Sequence, residues 1–351
     1  MTLTVSVVST ARPLSRPAQN ARRRWSERAS CIITLESDDG RRGRGEAAPL
    51  PGFSPDSLAA CEQALLAFDA RGIAVRLGPD QDLIGELRRA SLRLPPNLPA
   101  ARAALESALL ELWARAAGVP AWALLHAGSS PPEPRALAAL LMGEPEQAVA
   151  EARTARARGL TTFKFKIGRP GALARELATV EALRRELGPE ARLRLDANQA
   201  LSAADAQRYL PQFAACELEF IEEPCSPQER PALDALGLPL ALDESLLSGA
   251  RPQRGDRALI LKPTLVGGVA ACVELARAAR AVEAQVIFSH AFEGPLGLAL
   301  SAALALALGS ETMAHGLDLE GARLAQTNLP YFSGAALRAW SEPGFGLAEG
   351  S

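Results

Sequence analysis

Two textures divide the chain. Through about residue 60, short runs in which apolar and polar residues alternate, LTVSVVST and SCIITLES, are separated by the turn-forming DDGRRGRG and followed by a Pro- and Gly-rich loop, GEAAPLPGFSPDS. A period of two sends successive side chains to opposite faces, so these runs predict an antiparallel sheet. From Leu58 to His126 the apolar spacing changes to three and four residues, in LAACEQALLAF and ARAALESALLELWARAAG, which predicts helices. The first part therefore reads as an α+β module, and GSSPPEPR (128–135) marks the break after it.

Beyond the break, strand-like and helix-like stretches alternate. ALAALLMG, TTFKFKIG, RLRLDANQ, CELEFIEEP, LPLALDES, RALILKP, AQVIFSH and HGLDL are candidate strands, with Ala-, Arg- and Leu-rich helical sequence between most of them. Repeated β–α units demand parallel strands with right-handed crossovers. Eight of them in about 190 residues fit a closed barrel better than the alternative, a doubly wound open sheet. Barrels of this kind collect their chemistry at the carboxyl ends of the strands.

Composition narrows the classes. A chain of 351 residues, 48% hydrophobic and 22% charged, has the material for a sizeable core, which excludes dominant disorder. Its formal charge of -2 gives no positive field for phosphate backbones, so nucleic acid is not an expected partner. The longest apolar stretch, Leu296 to Leu308, is 13 residues and falls short of the roughly 18 or more that a membrane span needs. The amino terminus has no basic head before an apolar run, so a cytoplasmic location is expected. Five cysteines without a CxxC pair and three histidines indicate neither a disulfide framework nor a zinc site.

Lysine usage changes the picture more than any of these. Of 38 basic residues only Lys164, Lys166 and Lys262 are lysines. Arginine stays protonated, whereas a lysine can lose its proton in a suitable setting, as a general base must. Lys164 and Lys166 lie two apart in a predicted strand and so share one face, toward the barrel interior. Asp196 with Asn198, Glu222 with Glu223, Asp243 with Glu244, and Lys262 each close a further strand. The intervals from Lys166 through Asp196, Glu222 and Asp243 to Lys262 are 30, 26, 21 and 19 residues, about one β–α unit each. All these groups should meet around one mouth. Three carboxylates converging from three strands would repel one another unless a cation joined them, and an all-oxygen donor set suits Mg²⁺ or Mn²⁺. Lysines flanking such an ion point to abstraction of a proton beside a carboxylate, because the developing dianion needs cations already in place.

The strings KFKIG, LDANQ, IEEP, LDES and LKPTLVGG, in this order, resemble the muconate-lactonising branch of the enolase superfamily, and ELWARAAGVPAWALLHAG resembles the approach to that family's barrel. Within the branch, GEAAPLPGFS, LKPTLVGG and SHAFEGPLGLAL are similar to the o-succinylbenzoate synthase family, whose reaction belongs to menaquinone biosynthesis. The resemblance implies a modified TIM-type (β/α)7β barrel over 128–319 with an N-terminal α+β capping domain over 1–127, completed by residues 320–351. It implies that Lys166 removes the α-proton and then releases water, that Lys164 supports it electrostatically, and that Lys262 is the cation across the substrate. It also implies Asp196, Glu222 and Asp243 as ligands of Mg²⁺, with Mn²⁺ as the other candidate, and Asn198, Glu223 and Glu244 in support. The preference for Glu222 over Glu223 rests on that analogy alone.

The substrate implied is a small carboxylate. Arg194, on the face of Asp196, is a candidate contact for it, with a structural ion pair as the equal alternative. Ser289 and Glu293 are further candidates, although His290, Gly294 and Pro295 depart from the serine-rich ending usual in those synthases. His290 is read as structural before it is read as a substrate ligand, and His126 and His315 as structural. Pro49 to Ser54 is expected to pack over the barrel mouth. The competing readings are an N-acylamino acid racemase or dipeptide epimerase of the same superfamily, and, more remotely, a metal-free aldolase forming a Schiff base on Lys166 or Lys262. The sequence carries no signal of oligomeric state.

Overall fold

The computed structural model describes residues 2–19, 24–78, 80–319 and 329–348. Three strands open the chain, β1 (Leu3–Gln19), β2 (Arg24–Ser37) and β3 (Arg42–Ala47), paired antiparallel in the order β1-β2-β3. Helices α1 (Leu58–Leu66), α2 (Leu83–Ser91) and α3 (Pro99–Ala117) follow. The position of β3 corrects the sequence expectation, which assigned its residues to a turn and a loop. Glycine-rich sequence reads as a breaker, yet here it permits close packing. A Cβ on Gly45 would lie 1.8 Å from the Ala104 carbonyl oxygen and one on Gly43 2.0 Å from that of Ala108, so β3 rests directly on the backbone of α3.

A short strand β4 (Arg135–Ala136) then leads into seven parallel strands: β5 (Ala138–Leu141), β6 (Thr162–Lys166), β7 (Arg192–Asp196), β8 (Leu218–Glu222), β9 (Leu240–Leu242), β10 (Asp256–Leu261) and β11 (Gln285–Phe288). They are hydrogen-bonded in chain order. The ends of this curled sheet are joined by residues 315 and 316: Ala138 donates to the His315 carbonyl at 2.8 Å and Gly316 to that of Phe288 at 2.9 Å. The HGLDL segment thus supplies the eighth stave, and the open doubly wound alternative is excluded. Helices α4 (Pro145–Ala157), α5 (Leu173–Leu187), α6 (Ala203–Ala214), the single turns α7 (Glu244–Leu247) and α8 (Pro263–Val266), α9 (Val269–Ala281) and α10 (Pro295–Leu308) complete the barrel units. No described helix is long and apolar enough to cross a membrane, and all five cysteines are free, buried thiols.

The first and last parts of the chain grip this barrel through caps. Glu106 of α3, buried, accepts from the Ala270 N–H at 2.8 Å at the start of α9. Glu46 of β3 accepts from Gly294 at 3.0 Å and Gly297 at 3.1 Å at the start of α10. A carboxylate on the free N–H groups of a helix N-terminus satisfies donors that the helix itself cannot. Residues 320–328, where the expected return to the first module would begin, lie outside the described residues. Farther on, β12 (Phe332–Ser333) pairs with β13 (Ala336–Leu337), which in turn pairs with β4, Trp122 donates to the Trp340 carbonyl at 3.0 Å, and Ala121 donates to that of Gly344 at 2.7 Å.

The closing stave is pinned by His315. Its Nδ1 accepts from the Phe288 N–H at 2.9 Å and its Nε2 lies 3.1 Å from the Ser310 carbonyl, so both nitrogens of a neutral ring are satisfied. Burial pushes its pKa down to about 3. The unfolded imidazole binds its proton first, so this group's contribution to stability is present above about pH 6.5 and is lost as pH falls toward 3. The expected outcome is a His315 Cε1–H resonance that does not titrate between pH 8 and 5. A second expectation concerns β3: Gly45→Ala should destabilise the fold by roughly 2 kcal/mol or more, read as a lowered urea midpoint, because the clash is with backbone that cannot rotate away.

Candidate active site

The β-strand alternation that buries Phe163 and Phe165 outside turns Lys164 and Lys166 inward, and the neighbouring strands deliver acids to them. Lys164 Nζ donates to Glu222 Oε1 at 2.7 Å and lies 2.9 Å from Asp196 Oδ2. Lys166 Nζ donates to the same Asp196 oxygen at 2.7 Å and to Asn198 Oδ1 at 2.8 Å. Asn198 Nδ2 donates to Glu244 Oε1 at 2.8 Å. Across the barrel, four staves from Lys166, Lys262 Nζ bonds Asp243 Oδ2 and stands 5.6 Å from the centre of the Phe53 ring. One set of buried charges therefore joins five consecutive strand ends.

The paired glutamates separate here. Glu222 is the last residue of β8 and faces the cavity, whereas the backbone turns into the left-handed region at Glu223, φ 41°. Glu223 then points away, accepting from the N–H groups of Asp243 at 2.7 Å and Ser245 at 2.9 Å and from Gln199 Nε2 at 3.0 Å. It braces the loop that carries Asp243. Asn198 and Gln199, with φ 44° and 58°, are strained in the same way beside Asp196.

Electrostatics follow from burial and sign. Burial alone would raise the pKa of Asp196, but Lys164, Lys166 and Lys262 hold it well below the usual carboxylate range. Glu222 is pushed up to about 8, Glu244 to about 7 and Asp243 to about 6, first by burial and then by the neighbouring carboxylates. Lys164 and Lys262 are desolvated, yet the acids around them keep both pKa values above normal.

These residues fit a hard divalent cation. Asp196, Glu222 and Asp243, each buried and each bonded to a lysine ammonium, converge with the half-buried Glu244. Glu244 Oε2 is buried with no hydrogen-bond partner. The donors are oxygens throughout. As they stand, no three described acids, histidines or cysteines form a ready coordination shell, because Lys164 and Lys262 serve as counterions to the acids.

Around the charges the cavity is lined by Trp25, Leu50 and Phe53 of the first module and by Leu140, Phe220, Ile260, Leu265 and Phe292 of the barrel. Leu50 and Phe53 bring the Pro49–Ser54 segment to the mouth, as the sequence suggested. Arg194 is in the cavity wall but is occupied: Nε donates to Glu219 Oε2 at 2.6 Å, Nη1 to the Ala314 carbonyl at 2.7 Å, and the guanidinium lies 4.7 Å from the Phe220 ring centre. Ser289 also lines the cavity, its hydroxyl 3.2 Å from the Gly316 carbonyl. Glu293 does not; it turns beneath the loop to accept from the Ala291 N–H at 2.6 Å. Trp25 is a lining residue that no spacing or motif singled out, and within SHAFEGPLGLAL and HGLDL no signal picked out Phe292 or Asp318.

Comparison with known proteins agrees with this fold. Residues 2–126 match the family model described as mandelate racemase / muconate lactonizing enzyme, N-terminal domain, and residues 147–348 the model described as enolase C-terminal domain-like. The o-succinylbenzoate synthase of Klebsiella pneumoniae is 32% identical over 330 residues, 91% of this chain and 89% of the relative. That of Thermosynechococcus vestitus is 32% identical over 298 residues, covering 81% and 83%. Among solved structures, the dipeptide epimerase of Methylococcus capsulatus, complexed with Mg and the dipeptide L-Arg-D-Lys, superposes with a TM-score of 0.82 at 27% identity over 99% of this chain and 100% of that one. The chain is an enzyme of the enolase superfamily.

Proposed function

We propose that the enzyme is a lyase that dehydrates 2-succinyl-6-hydroxy-2,4-cyclohexadiene-1-carboxylate to o-succinylbenzoate. The observation that carries this reading is the pair of lysines on opposite staves of one buried cavity, Lys166 on Asp196 and Lys262 on Asp243, in a chain about 30% identical to proteins of that name over four fifths of its length or more. In this mechanism Lys166, as the free amine, takes the proton from the carbon bearing the carboxylate. The electron pair moves into the carboxylate as an enediolate and returns as the carbon–oxygen bond at the 6-position breaks. Lys166 gives its proton to the departing hydroxyl, so water leaves on the face from which the proton was taken and the ring becomes aromatic. Lys262, kept charged by its acids, stabilises the enediolate from the other side, and Lys164 adds a second fixed charge. A Mg²⁺ or Mn²⁺ ion, held by Asp196, Glu222 and Asp243, would supply positive charge for the carboxylate oxygens as they become a dianion. Asn198, Glu223 and Glu244 orient the groups beside it.

A second reading, epimerisation of an N-acylamino acid or dipeptide, is favoured by the same opposed lysines, because each could serve one face of a planar intermediate, and by the fold shared with the dipeptide epimerase. Turnover of the cyclohexadiene acid beside a panel of N-acylamino acids and dipeptides separates the two. A small acid as substrate and a cytoplasmic enzyme of menaquinone biosynthesis are the setting this reading implies.

Chelation by excess EDTA should abolish turnover and added Mg²⁺ or Mn²⁺ should restore it; full activity in EDTA would remove the metal from the mechanism. Borohydride trapping should leave no adduct on Lys166 or Lys262. Lys166→Arg keeps the charge but no usable base, so its kcat should fall about as far as that of Lys166→Ala. Lys262→Arg should retain part of a dehydration while abolishing any epimerisation, measured on the two substrate classes. Arg194→Met leaves Glu219 beside its remaining partner Arg192 and empties a packed site over Phe220, so it should cost roughly 3 kcal/mol in urea unfolding. A stable Arg194→Met variant with a raised KM would instead make Arg194 a substrate contact.

A further inference from the structure

The loop leaving the seventh barrel strand holds a bulky residue, Phe292, in the left-handed region at φ 62°. Such a conformation persists only where the surroundings fix it. Two hydrogen bonds fix this one. The Phe292 carbonyl accepts from Arg28 Nε at 3.3 Å, and the Phe292 N–H donates to His290 Nδ1 at 3.1 Å. Arg28 is buried and also donates to the carbonyls of Ala48 at 2.5 Å and Pro49 at 2.9 Å. A single guanidinium of the first module thus ties the loop that carries Leu50 and Phe53 to the loop that carries His290.

The consequence for His290 is a fixed tautomer. Because Nδ1 accepts from a backbone N–H, the ring proton of the neutral imidazole must sit on Nε2. The ring lines the cavity beside Lys262 and Ser289, braced edge-on by Phe292 at 5.2 Å, and its Nε2–H meets no protein acceptor among the described residues. In the barrel order β11 lies four staves from β7, so His290 faces the cavity from the side opposite Asp196.

We propose that His290 recognises the substrate as a neutral donor of fixed orientation, its Nε2–H meeting the acyl carbonyl oxygen on the side of the substrate remote from the reacting carboxylate. Arg28 and Phe292 are positioning residues that act through it. Burial, with Lys262 and Lys164 nearby, lowers the His290 pKa to about 3, so the ring adds direction without adding charge at neutral pH. An acyl carbonyl is common to the succinyl-bearing acid and to the N-acylamino acids, so the inference rests on the functional reading only for which of these is bound.

The test compares His290→Phe and His290→Gln with wild type, in Mg²⁺-supplemented enzyme, on whichever acid the wild type turns over. His290→Phe should raise KM roughly 10- to 100-fold with kcat changed far less, because the carbonyl is left without its donor. His290→Gln, whose amide N–H reaches close to the position of Nε2–H, should recover most of the loss. An unchanged KM in His290→Phe overturns the proposal, whereas a wild type that turns over neither class of acid overturns the functional reading instead. The ring itself supplies a readout independent of turnover. In ¹⁵N-labelled wild type at pH 7, His290 should show a protonated Nε2 and a bare Nδ1, and saturation with o-succinylbenzoate should shift the Nε2–H resonance. A bare Nε2, or an Nε2–H that saturating ligand leaves unmoved, overturns the assignment. Arg28→Met should mix the two tautomers and raise KM, and Arg28→Lys should restore part of both.

Discussion

The constraint on which the rest of this structure depends is the gathering of four carboxylates, Asp196, Glu222, Asp243 and Glu244, and three lysine ammonium groups, buried or half-buried, at one end of a barrel. Like charges confined to a low-dielectric space repel by several kcal/mol at contact distances, so each acid must have a counterion or a set of N–H donors. The barrel meets that demand by geometry. Parallel strands end in register, so Lys166, Asp196 and Glu222 pair side by side across β6, β7 and β8. Lys164 then spans two acids, Lys262 takes the third, and Glu223 is turned away to bond backbone. A divalent ion would add the positive charge that lets the strand-end carboxylates stay ionised together.

Holding such a site requires a rigid frame, and the first module provides it as much as the barrel does. Glu106 and Glu46 reach from α3 and β3 to the starts of α9 and α10, and Arg28 reaches to the loop after β11. These contacts join helix N-terminal donors or backbone carbonyls to buried side chains, so they cannot slide. The mouth is consequently walled by two units at once: Leu50 and Phe53 from the module, the charged strand ends and His290 from the barrel.

The proposed reaction needs fixed cations around an acid that becomes a dianion, and the same cavity must still recognise the rest of the substrate. The charged half of the cavity serves the first need. The other half, with Phe53, Leu265, Ile260 and Phe292, is largely apolar, and there a neutral donor such as His290 can specify an oxygen without disturbing the charge balance.

The sequence by itself determined the barrel and its charged residues. The eight strand patterns, the spacing of about one β–α unit between acids, and the rarity of lysine are all local or periodic signals, and each survives in the fold at the residues that carry it. Where the signal was ambiguous, only the tertiary structure decided. Gly43 and Gly45 resemble turn formers, and it took the proximity of α3 to make them strand. Glu222 and Glu223 are chemically identical neighbours, and only the backbone turn at Glu223 sends one into the cavity and the other to brace Asp243. Arg194 lies on the face predicted for it, but its ion pair with Glu219 depends on the next strand's register, which no local pattern encodes. Arg28 is one arginine among 35, and what sets it apart is three carbonyls contributed by two distant loops. Periodicity and spacing report which residues share a face, whereas the partner of a buried polar group is set by other chain segments, from the next barrel strand, as for Arg194, to a loop 264 residues away, as for Arg28.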